Sequence, residues 1–197
     1  MNLRRCFLGL SLVIFSLTNA QAQTLAPQVK FTTNMGEFVV EVYPDKAPNT
    51  VENFLTYVRD GHYNGTIFHR VINNFMIQGG GYDARYMEKP GRAPIKHEGA
   101  EVKAKGGPTN TVGTIAMART NNPHSASAQF FINVNNNDFL NHVAPSGQGW
   151  GYVAFGKVVS GMEVVNKIKL TPTGSGGPFP TDVPQTQVVI QSATLVK

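Results

Sequence analysis

The chain has 197 residues, 17 basic and 12 acidic side chains, a formal net charge of +5 and one cysteine, Cys6. A lone cysteine excludes a disulfide framework and a Cys-based zinc site, and no Lys/Arg cluster marks a nucleic-acid or membrane surface. Five histidines (His62, His69, His97, His124 and His142) are scattered without ligand spacing, so no metal site is expected.

Arg4 and Arg5 open the chain, Cys6 to Leu17 runs apolar, and Ala20-Gln21-Ala22 precedes Gln23. A basic start, a short apolar stretch and an Ala-x-Ala site describe a secretory signal peptide over residues 1–22. The apolar run is shorter than the ~20 residues a membrane-spanning helix needs. Cleavage leaves residues 23–197, a single domain by length, with no cysteine and a net charge of +3. A thiol nucleophile is thereby excluded, and no membrane association is expected after cleavage.

Val29–Thr33 and Glu37–Tyr43 are β-rich runs joined by a hairpin turn at Asn34-Met35-Gly36. Asn49 and Glu52 then resemble a capping box opening a helix, with Val51, Phe54, Leu55 and Val58 at helical spacing and Gly61 as the stop. Strands are predicted over Thr66–Ile72, Phe75–Gln78, Val112–Ala118, Gln129–Val134, Tyr152–Val158 and Gln187–Val196. Gly79–Pro108 and Thr171–Gln185 read as loops. Ser160 and Glu163 read as a second capping box, before a helix whose apolar stripe is Met162, Val165 and Ile168. About eight short strands and two helices point to a closed barrel, because closure removes exposed strand edges.

Two segments carry chemistry. In Phe68-His69-Arg70-Val71-Ile72 strict alternation puts Phe68, Arg70 and Ile72 on one face, which makes Arg70 half-buried and in need of an acceptor. That acceptor suits a structural ion pair as well as a site. Gln78 stands before Gly79-Gly80-Gly81, where backbone can approach a ligand closely; no Gly-Lys-Ser/Thr follows, so this is not a phosphate loop. In Gln129-Phe130-Phe131-Ile132-Asn133, Gln129 shares a face with Phe131 and calls for a hydrogen-bond partner. Phe75-Met76 and Phe139-Leu140 are apolar pairs that suit either core or the wall of a pocket.

The segment Phe68 to Gly80 resembles the cyclophilin signature, and Gln129-Phe130-Phe131-Ile132 resembles its second hallmark. Gly113–Met117 and Phe155–Val158 fit as well, and the similarity runs from about Val29 to Val196. The resemblance is strongest to bacterial periplasmic cyclophilins. It implies an eight-stranded antiparallel β-barrel with a helix at each end and peptidyl-prolyl cis/trans isomerase activity without a cofactor. It further implies that Arg70 is catalytic and that Phe75, Met76, Phe131 and Leu140 form a proline pocket. Gln78 and Gln129 would hydrogen-bond the substrate backbone, and Ala118 and Arg119 would line an adjoining groove. Eukaryotic members usually carry Trp at the Phe139 position and His at the Tyr152 position. A phenylalanine lacks the indole N–H and some contact area, so weak or no cyclosporin binding is expected. The expected substrates are X-Pro segments of exported proteins, the expected compartment is the periplasm, and nothing suggests more than a monomer. Two other readings share the sequence: a proline-recognition or chaperone module using the same pocket, and a barrel holding a small molecule inside.

Overall fold

A computed structural model describes residues 26–196; the expected signal peptide lies outside them. Ten strands form: β1 (Gln28–Thr33), β2 (Gly36–Val42), β3 (Thr66–Ile72), β4 (Met76–Asp83), β5 (Thr114–Met117), β6 (Phe130–Asn133), β7 (Ala154–Ser160), β8 (Thr173–Gly176), β9 (Phe179–Pro184) and β10 (Val189–Leu195). All except β8 and β9 close into an antiparallel barrel in the order β1-β10-β3-β4-β6-β5-β7-β2. The eight runs read as strands are the eight barrel strands.

Inward-facing aromatics fill the barrel. Phe31, Phe38, Phe68, Phe130 and Phe155 are at most 1% exposed. Phe31 stacks on Phe38 at 5.0 Å, and Phe130 meets Tyr63 edge-on at 5.3 Å. An interior packed by its own side chains leaves no chamber for a ligand, which removes the small-molecule-barrel reading.

Among the described residues three α-helices form where two were expected: α1 (Pro48–Arg59), α2 (Gly99–Ala104) and α3 (Met162–Lys169). Pro48 suits the first turn of α1, and Gly61, at φ +66°, ends it. α1 sends Phe54 among the rings of Phe31, Phe130 and Phe155, and α3 buries Val165 and Ile168 in the same core.

Neither capping box forms. The N-terminus of α1 is capped instead by Glu98, from the segment just before α2. Its carboxylate accepts the backbone N–H of Asn49 (3.0 Å) and of Thr50 (2.7 Å), the Thr50 hydroxyl (2.6 Å) and the Asn49 amide (2.8 Å). Ser160 belongs to β7, and Gly161 at φ +78° starts α3 because a Cβ there would meet the Glu37 carbonyl. Two stretches read as loop also hold structure. α2 buries only Gly99 and Val102, too few for a period to show. The β8–β9 hairpin turns at Gly177-Pro178, and its glycines, prolines and short polar residues hide the strand pattern.

Candidate active site

One β-bulge decides where Arg70 points. On β3, Phe68 pairs with Gly79 and Arg70 with Gln78, so two steps on β3 oppose one on β4. Strict alternation therefore fails here: Phe68 and Val71 both face the core, while the Arg70 side chain is 46% exposed on the outer surface. The expectation that Arg70 shares a face with Phe68 is corrected accordingly; the side chain is half-buried, but on the opposite face. Its acceptor is Asp182 of β9, with Oδ2 3.6 Å from Nε.

From Arg70 the register continues across the sheet. Gln78 of β4 pairs with Phe131 of β6, Phe131 with Ala116 of β5, and Ala116 with Ala154 of β7. These outward residues alternate with inward Ile77, Phe130, Ile132 and Ile115. On the outside they join Met76 and Leu140 in a second apolar cluster, flanked by Phe75, Ala118 and Tyr152. Met76, Phe131 and Leu140 of this cluster, with Phe75, Ala118 and Tyr152, line a groove of about 530 Å³.

Every expected site residue except Phe139 lines that groove. Phe139 stands on a short 3-10 turn (Asp138–Leu140), 73% exposed, and stacks on Phe75 at 5.7 Å from outside. Gln78 donates from Nε2 to Gln129 Oε1 at 3.0 Å, which orients both amides. The glycine run belongs to β4 and serves side chains rather than an open approach: a Cβ at Gly81 would overlap the Gln129 side chain, and one at Gly80 would lie 2.9 Å from the rings of Phe130 and Tyr63. Arg119 folds back. It donates from Nε to the Gly151 carbonyl (2.9 Å), and its guanidinium lies 4.6 Å over the Tyr152 ring, which meets Phe131 edge-on at 5.6 Å.

Several supporting residues escape the sequence reading. Asn110, Asn133 and Asn137 are at most 2% exposed. Asn137 donates to the Phe75 carbonyl (2.9 Å) and to Asn133 Oδ1 (2.6 Å); Asn110 donates to the carbonyls of Leu140 (3.2 Å) and Tyr152 (3.1 Å). The network fixes the backbone of three groove residues. Its only trace in the sequence is the unusual density of asparagine around Phe139. The far wall, Phe179 to Asp182, lies in the segment read as loop. His97, His124 and His142, scattered in sequence, converge on Trp150 at 5.2–6.1 Å between ring centroids.

Two buried histidines stay neutral. Burial, and then the neighbouring Arg70 charge, lowers His69 from 6.5 to about 4; burial, reinforced by Arg119, lowers His97 to about 4 against the opposing hydrogen bond to the Gly151 carbonyl. Between pH 6.5 and 4 the unfolded chain takes up protons that the folded chain refuses, so stability is complete above pH 6.5 and falls as pH drops through that window. Each group contributes about 3 kcal/mol at most. Glu52 and Asp83 are held below the ordinary carboxylate range, Glu52 chiefly by the hydrogen bond from Arg59 and Asp83 chiefly by the Met87 N–H. Urea unfolding is therefore expected to give a lower free energy at pH 5 than at pH 7, and no change between pH 7 and 8.5. Equal stability at pH 5 and 7 contradicts the assignment.

Residues 28–195 match the family model of cyclophilin type peptidyl-prolyl cis-trans isomerases. Peptidyl-prolyl cis-trans isomerase B of Escherichia coli is 56% identical over 167 residues, covering 85% of this chain and 98% of that protein. Peptidyl-prolyl cis-trans isomerase A of Dickeya dadantii is 46% identical over 188 residues, covering 95% and 93%. Among solved structures, a Cryptosporidium parvum cyclophilin type isomerase determined in the presence of the dipeptide Ala-Pro superposes with a TM-score of 0.69 at 26% identity, covering 86% of this chain and 99% of that one. With the barrel, the outward row from Arg70 to Ala154 and these relatives together, the chain belongs to the cyclophilin family of peptidyl-prolyl cis-trans isomerases.

Proposed function

We propose that isomerisation takes place in the outer groove, with Arg70 as the catalytic residue and the apolar floor as the seat of the proline ring. Rotation about a peptide bond meets a barrier of ~18–20 kcal/mol from amide resonance. No bond is made or broken, so the protein must favour the twisted amide over both planar forms. In the twisted state the prolyl nitrogen regains its lone pair and accepts a hydrogen bond that neither planar state accepts. An N–H of Arg70 supplies that bond and lowers the barrier selectively. Met76, Phe131 and Leu140 hold the ring, Phe75 flanks it, and Gln78 and Gln129 bond the substrate backbone. The observation that carries this reading is the register itself, which sets an outward arginine two strands from an outward phenylalanine over an apolar floor.

The substrates are X-Pro segments of exported proteins, and the working compartment is the periplasm; the basic–apolar–Ala-Gln-Ala leader supports both. The protein acts as a monomer. Cyclosporin binds weakly or not at all, because Phe139 is an exposed ring that lacks an indole donor and the contact area of a tryptophan. Proline recognition without turnover is the second reading; a pocket that only binds has no use for an arginine at the prolyl nitrogen.

Arginine stays charged throughout the working range, and His69 beside it is neutral above about pH 5. Exchange of an Ala-Pro peptide is therefore expected to be accelerated equally from pH 6 to 9. A bell-shaped profile overturns the arginine mechanism, and binding without acceleration overturns the enzyme reading in favour of recognition.

A further inference from the structure

β9 runs beside β3 and delivers Asp182 to the rim of the groove next to Arg70. This approach is built by several contacts. Phe179 packs on His69 at 5.3 Å and on Tyr82 at 5.0 Å, directly behind Arg70. The hairpin turn is a glycine fit: a Cβ at Gly177 would meet the Tyr86 ring. Val183, next to Asp182, is 1% exposed. Asp182 itself holds φ at +66°, a left-handed conformation that Asp and Asn tolerate and most residues do not. Its carboxylate is partly withdrawn from water, and among the described residues Arg70 makes no other ion pair or side-chain hydrogen bond.

We propose that Asp182 is a positioning residue for Arg70. Asp182 Oδ2 stands 3.6 Å from Nε, at ion-pair distance, and among the described residues no side-chain or backbone acceptor takes a guanidinium N–H of Arg70, so those donors remain available to a substrate in the groove that Arg70 lines. An unrestrained arginine samples many rotamers, all but one of which must be given up in the transition state. A fixed partner moves that ordering into folding, so the donor is already placed when the amide twists. The proposal rests on Arg70 acting as argued above. Because the pairing acts on the transition state, its loss lowers kcat more than it raises KM.

Asp182→Asn is the clean substitution: it keeps shape and tolerance for the left-handed backbone and removes only the charge. With an Ala-Pro peptide, kcat is expected to fall three- to tenfold, with KM within twofold of the parent and the melting temperature unchanged. The Nε–H of Arg70, followed by nitrogen NMR, is expected to show a lower order parameter. In an Arg70→Ala background, Asp182→Asn is expected to add no further loss. Unchanged kcat, an effect confined to KM, an unmoved Arg70 Nε–H, or an equal loss in the Arg70→Ala background overturns the proposal while leaving Arg70 in place. Full activity of Arg70→Ala by itself overturns the role of Arg70, and the proposal with it.

Discussion

Arg70→Ala is expected to lower kcat/KM for an X-Pro peptide by about 10²-fold or more, the scale seen when one transition-state donor is removed. The fold is expected to survive intact. Arg70 lies on the outer face, 46% exposed, and its single ion pair with Asp182 is a half-exposed contact of the kind worth about 0–1 kcal/mol. A large catalytic loss without a stability loss separates chemistry from scaffolding. Arg70→Lys is not expected to restore the rate. Lysine keeps the charge but loses the planar fork, and with it the Nε beside Asp182. Measured rates and melting temperatures of the parent and both variants decide the point. A parallel fall in activity and melting temperature would make Arg70 structural.

Glu98→Ala carries the second large effect, on stability. Glu98 is 4% exposed and accepts four hydrogen bonds from Asn49 and Thr50 at the start of α1. Those backbone N–H groups have no partner within the helix, and the helix dipole favours an anion there. Truncation strands the Thr50 N–H and hydroxyl in a buried setting and the Asn49 N–H in a part-buried one, a cost of about 2–4 kcal/mol. Glu98→Gln keeps one acceptor oxygen and is expected to fall between. Urea denaturation reads both variants; a loss below about 0.5 kcal/mol for Glu98→Ala would show that water replaces the carboxylate without penalty.

That cap also marks a boundary of what the sequence reveals. The helix was legible from Val51, Phe54, Leu55 and Val58, because their spacing is set by burial of one face. Its cap was not, because Glu98 lies 49 residues from Asn49 and only the tertiary fold joins them. The barrel strands were legible for the same reason as the helix: inward Ile77, Phe130 and Ile132 alternate with outward neighbours. Alternation misled only at the bulge in β3, where one extra residue turned Arg70 outward. The pocket residues were visible as odd apolar pairs and amides, but their assembly needed the register of β3, β4, β6, β5 and β7. Their roles came from the likeness of two motifs to a family. Asp182 was invisible, and the asparagine network left only a density of asparagine around Phe139, since short polar residues in loops look alike whether they are solvated or buried.

Nitrogen-labelled residues 23–197, titrated with an Ala-Pro peptide, provide the most direct test of where catalysis occurs, because amide shifts and cis/trans exchange are read in one sample. Uncatalysed exchange takes tens to hundreds of seconds. The expected result is exchange far faster than that, with the largest shifts at Gln78, Phe131, Leu140 and Tyr152 and small ones at inward Phe130 and Ile132. A separate cleft is lined by Val102, Lys103 and Val143, and accelerated exchange with shifts centred there instead would contradict the outer-groove site. No acceleration at saturating peptide would contradict catalysis by this chain.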